Sequence, residues 1–210
     1  MNRHGARGFT LVEVLVAMMV MAIMAVMAWQ GVDGIVRTRD ASQVRLEESL
    51  RLNTVIAQWD QDLASLQDTA VVTPTVACTG ATVRLTRRAP DGVQVVVWTL
   101  RPVGDNRSTW ERWAGPAVTT QAELKDSWLR SQQLQGGEAG SIATLTGLSG
   151  WQVYFYQGNS WANCQSTGNT KETAGGGAIA TRPDGVRVVL SFAPGSGVSG
   201  DLTRDTLLTR

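Results

Sequence analysis

The sequence predicts an α+β protein: one long amino-terminal helix, apolar and then amphipathic, packed on an antiparallel β-sheet head. Three observations predict it. The run from Val14 to Trp29 carries no charged residue; apolar residues recur at helical spacing from Leu52 to Leu66; beyond Pro74 the period changes to two.

Phe9 to Val12 extend the apolar run to about twenty residues, roughly 30 Å of helix, which matches the hydrocarbon core of a bilayer. No polar face interrupts it, as one would in a helix of a soluble core. Arg3 and Arg7 precede the run, which keeps the amino terminus cytoplasmic and sends the remainder outward. A secretory signal peptide is the rival reading, with Val26-Met27-Ala28 supplying small residues at a cleavage position. Glu13 argues against it. A carboxylate deep in the bilayer costs about 2.5–3.5 kcal/mol, and a disposable segment has no use for one. The helical pattern also continues past Trp29. Ala22, Ala25, Ala28, Gly31 and Gly34 recur every third residue, but this series winds around the helix, so composition accounts for it as well as close helix approach does. Gly31 and Gly34 each weaken the helix by about 1 kcal/mol and mark a candidate bend.

After Gly34 the chain becomes amphipathic. Leu52, Ile56, Trp59, Leu63 and Leu66 form a stripe at 4-3-4-3 spacing, expected to pack on the protein's own sheet rather than in a short coiled coil. Glu47 and Arg51 stand in the favourable order for an i,i+4 ion pair. Strands are expected over Ala81–Arg88 and Val93–Arg101, joined by a Pro-Asp-Gly turn. Further strands are expected over Ser108–Gly115, Trp151–Gln157, Arg182–Phe192 and Asp201–Arg210. The second Pro-Asp-Gly, at residues 183–185, suggests the same turn chemistry again. Gln121–Gln135 reads as a helix, or as a loop packed through Leu124, Trp128 and Leu134. Gly136–Gly140 and Ser166–Gly177 read as flexible loops without phosphate-binding spacing. Six of the eight Trp fall in the head, most of them as core.

Composition narrows the chemistry. With 43% hydrophobic and 18% charged residues among 210, the chain is globular, with room for one domain and an extra element. Nineteen Lys and Arg against eighteen Asp and Glu give a net charge of +1, and no basic run points to a nucleic-acid partner. The single histidine, His4, precedes the apolar run, so loss of a leader would remove every imidazole and with it His-based triads and His-containing zinc sites. Cys78 and Cys164 are too few for a thiolate metal cage, and no cofactor or metal site is expected. Outside the membrane they would either form one disulfide, worth about 4–5 kcal/mol in the chain-entropy picture, or remain two separate thiols.

The stretch Gly8-Phe9-Thr10-Leu11-Val12-Glu13, with its short basic leader and long apolar run, resembles the cleavage site of the type IV pilin and type II secretion pseudopilin superfamily. The resemblance implies a pilin-like fold, cleavage by prepilin peptidase between Gly8 and Phe9, and N-methylation of the new Phe9 amine. It divides the chain into a leader (1–8), a transmembrane assembly helix (9–32), an amphipathic periplasmic extension (33–70) and a β-rich periplasmic head (71–210). Cleavage would create a cationic amine near Glu13. In a filament, Glu13 would pair with the Phe9 amine of a neighbouring subunit, because a low dielectric makes a well-formed pair strong and a lone charge costly. The alternative is that Glu13 merely reaches the lipid interface.

Within the superfamily, Ala28–Asp40, Gln58–Asp68 and the stretch from Pro183 to Leu208 resemble the J-type minor pseudopilins of type II secretion systems. That resemblance implies partners among the I-type and K-type minor pseudopilins, with the H-type and major pseudopilins beyond them. It also implies contact with the prepilin peptidase and the inner-membrane assembly platform, and a single-pass location in the bacterial inner membrane. The function implied is assembly and export of folded proteins, not catalysis. A minor pilin of a type IV pilus or DNA-uptake filament would carry the same cleavage segment. A membrane-anchored enzyme would need a polar constellation that the sequence does not present.

Overall fold

The computed structural model describes residues 9–166, 170–172, 178–180, 182–198 and 200–208. The chain has an α+β, pilin-like fold and divides into two compact units, Met1–Glu47 and Glu48–Arg210. Helix α1, Leu11–Ala64, contributes to both and runs without interruption through Gly31 and Gly34.

In the first unit every residue from Phe9 to Glu47 is exposed. In the second, the end of α1 turns its stripe inward: Trp59 and Leu63 are fully buried, with Leu52, Ile56 and Leu66 packed around them. The Glu47–Arg51 pair is not formed. Arg51 instead donates Nε to the Thr144 carbonyl at 2.7 Å, and Glu47 accepts from Gln43 at 3.1 Å.

The head is built from β1 (Val76–Cys78), β2 (Thr82–Ala89), β3 (Gly92–Gly104), β4 (Arg107–Ala114), α2 (Gln121–Ser131), β5 (Ser141–Gln157), β6 (Ser160–Asn163), β7 (Thr170–Glu172), β8 (Ala178–Ala180), β9 (Gly185–Phe192) and β10 (Asp201–Leu207). The main sheet runs β1-β2-β3-β4-β5-β9-β10, all neighbours antiparallel, with β6 also on β5. The β2–β3 hairpin closes through Pro90-Asp91, Ala89 facing Gly92. Gly92 has φ +140°, and a Cβ there would strike the Val118 carbonyl, so glycine is required. The second Pro-Asp-Gly does not repeat this turn. It opens β9, with the Asp184 amide bonded to the Tyr156 carbonyl. Identical local residues thus serve different turns once their strand neighbours differ.

Strand β5 is far longer than its aromatic stretch suggests. Its first half pairs with β4 and its second with β9. Within the expected glycine-rich loop at 166–177, residues of β7 pair with β8; residues 167–169 and 173–177 lie outside those described. Strand β10 is placed at Asp201–Leu207 and α2 at Gln121–Ser131, capped by the Thr120 hydroxyl.

Two cores flank the sheet. On the α1 face Trp59, Trp98 and Trp110 form one aromatic cluster, ring centroids 4.4 to 5.5 Å apart. On the opposite face Val95, Val97 and Trp113 pack with Leu124, Trp128 and Leu134 of the α2 segment. Burying aromatic rings at these separations adds edge and offset attraction to the area removed from water.

Candidate assembly site

The start of α1 is built by Thr10 and Glu13. The Thr10 carbonyl accepts the first intrahelical bond, from the Val14 amide. The Glu13 amide donates to the Thr10 hydroxyl at 3.3 Å. In return, Glu13 Oε2 accepts from the Thr10 amide at 3.1 Å and from its hydroxyl at 3.0 Å. This is a reciprocal capping box, in which the first residue and the third helical residue satisfy each other's free donors. Both Thr10 donors lie on the carboxyl side of Phe9, so a cut between residues 8 and 9 leaves them intact. Oε1 makes no hydrogen bond among the described residues and is open to an incoming cation.

Phe9, beside the cap, is exposed. Gly8 lies outside the described residues. Beyond Glu13 the apolar run is exposed among the described residues: Val14 is 44% exposed and Trp29 76%. The helix is long and apolar enough to cross a membrane, and none of its most apolar window is buried. An apolar surface of this extent requires lipid or other protein around it.

Residues 3–29 match the family model of the prokaryotic N-terminal methylation motif. The match supports the type IV pilin-like superfamily. The methylation motif therefore covers Gly8, Phe9, Thr10 and Glu13 together, along with the apolar run to Trp29. No curated protein matches the chain.

The head holds a second polar centre, which anchors α1 to the sheet. Asp62 is fully buried and accepts from Trp98 Nε1 (2.9 Å), Arg112 Nε (2.7 Å) and Nη2 (2.9 Å), Gln58 Nε2 (3.0 Å) and Arg87 Nη1. These donors come from α1, β2, β3 and β4. A carboxylate removed from water survives only when its lone pairs are filled this way. Two residues earlier, Asp60 binds Arg204 Nη2 at 2.6 Å and the Thr206 hydroxyl at 2.7 Å, holding strand β10.

Cys78 and Cys164 are bonded, their Cα atoms 5.8 Å apart. Trp151 Nε1 donates to the Gly80 carbonyl at 2.7 Å, and Gln165 Nε2 to the Thr79 carbonyl at 3.2 Å. The three links join the β1–β2 turn to β5 and the segment after β6, curling the sheet around the end of α1. Among the described residues no group of three or more His, Cys, Asp or Glu could hold a metal ion.

Thr10 and Asp62 are the residues that spacing alone undervalued. The T-x-x-E pattern before an apolar run is a visible capping signal for Thr10. Asp62 carries no such signal, because apart from Gln58, one helical turn earlier, its donors lie 25 to 50 residues away.

Proposed function

We propose that the chain is a J-type minor pseudopilin of a type II secretion system, a filament subunit and not an enzyme. Prepilin peptidase would cut between Gly8 and Phe9, and the Phe9 amine would be methylated. The observation that supports a filament subunit is the uncovered apolar helix, opened by a methylation motif whose Glu13 is oriented by Thr10; the J type rests on the resemblance of Ala28–Asp40, Gln58–Asp68 and Pro183–Leu208. Glu13 Oε1 would then receive the Phe9 ammonium of a neighbouring subunit. Removing both charges from lipid together favours docking over solitary residence in the bilayer.

The partners in this reading are I-type and K-type minor pseudopilins, with H-type and major pseudopilins and the inner-membrane assembly platform. The head would lie in the periplasm, an oxidising compartment in which a disulfide such as Cys78–Cys164 persists. The methylation motif is equally compatible with a minor pilin of a type IV pilus or DNA-uptake filament.

An in-frame deletion separates the two. The secretion reading expects exported enzymes to accumulate in the periplasm and to return to the medium on complementation with the native gene but not with a Gly8→Val variant. Unchanged secretion with loss of surface pili or DNA uptake would establish the pilin reading instead.

A further inference from the structure

The face of the sheet opposite α1 forms a partly open cavity of about 90 Å³, with a mixed polar and apolar lining, beneath the end of α2. Its floor is made of two adjacent rows across the strands: Arg84, Val97 and Trp113 in one, Thr82, Thr99 and Glu111 in the next. Ser131 and Glu138 form part of the rim.

Four charged groups line it, and three are accounted for. Arg101 donates Nε to Glu111 at 2.9 Å and also bonds the Gln135 carbonyl. Glu138 accepts from the backbone amides of Gln135 at 2.6 Å and Gly136 at 2.9 Å. These bonds hold its carboxyl below the usual range, so it stays ionised. Arg84 is the exception. It is partly buried, donates Nε to the Ser131 carbonyl at 3.2 Å, and forms no ion pair among the described residues. Burial alone acts on its guanidinium, pulling its pKa down with no carboxylate to oppose the shift. A cation half withdrawn from water, with no carboxylate bonded to it, gains from an anion that reaches it.

We propose that this cavity binds a single carboxylate group on the terminal nitrogens of Arg84. The planar fork of a guanidinium matches a carboxylate in two parallel hydrogen bonds. The cavity would otherwise hold about three waters, and the same space accommodates one carboxylate with its attached carbon. A multiply charged anion is disfavoured because Glu111 and Glu138 share the lining. The carboxylate comes either from a small free acid or from an Asp or Glu side chain of a neighbouring subunit.

The test uses the full chain in detergent micelles, labelled with ¹⁵N-arginine, titrated with sodium acetate and separately with N-acetyl-aspartate N-methylamide. The Arg84 Nε–H resonance is assigned by its loss in Arg84→Lys. The proposal expects a saturable shift of that resonance below about 100 mM ligand, with sodium chloride at least about tenfold weaker. A parallel rise in Tm should shrink in Arg84→Lys, which keeps the charge but not the fork. Tighter binding of acetate identifies a free acid as the source, and tighter binding of the blocked aspartate identifies a subunit side chain. A resonance that does not saturate, or that follows chloride equally, overturns the site. Should Arg84→Lys fail to fold, Arg84→Gln supplies the same assignment, and the wild-type titration then decides.

Discussion

Glu13 presents two separable features on one side chain. Oε2 closes the helix cap with Thr10, and the charge remains available through Oε1. Glu13→Gln preserves the cap, since glutamine serves a capping box, but removes the charge. Thr10→Ala preserves the charge and removes the cap, at about 1 kcal/mol of helix stability. Secretion or filament assembly should therefore be lost with Glu13→Gln and largely kept with Thr10→Ala at matched protein levels. Equal loss in both would show that orientation by the cap, not charge, limits assembly. Asp62 is the corresponding residue in the head. Replacing it with Ala leaves the largely buried guanidinium groups of Arg87 and Arg112, 15% and 13% exposed, without their carboxylate, a cost of about 3 kcal/mol. Urea unfolding of the full chain measures this; a loss below about 1 kcal/mol would show that water replaces the carboxylate.

Among the elements, α1 changes character along its length. Its first part displays apolar side chains on every side, so sequence periodicity cannot assign it a buried face. Its last turns carry the stripe that the 4-3-4-3 spacing predicts, and Trp59 and Leu63 are its most buried members. Strands β2, β3, β4 and β10 lie close to where period-two patterning puts them. The first half of β5 escaped that reading because Ser, Thr and Gly fill it, and their strand character comes from pairing with β4. The Cys78–Cys164 bond spans 86 residues of separation. Replacing both by Ser should cost about 4–5 kcal/mol through the freer unfolded chain, seen as a lower Tm under oxidising conditions and no difference after reduction. A double variant as stable as the parent would show that the Trp151 and Gln165 bonds alone hold the sheet closed.

For the molecule as a whole, the sequence by itself determined the membrane-competent helix, the methylation motif, the alternation that makes an antiparallel sheet, and the apolar stripe that meets it. Each of these is a local pattern, set by residues within one or two turns or one strand, and survives without knowledge of distant neighbours. Tertiary structure decided the rest. It gathered Arg87, Trp98 and Arg112 around Asp62, split β5 between two partners, gave the two Pro-Asp-Gly segments different duties, and set Arg84 in the cavity beneath α2. Those outcomes depend on strand register and on residues tens of positions apart, where a shift of one residue turns a side chain to the other face. Buried charge can be placed only after the fold has excluded water from around it.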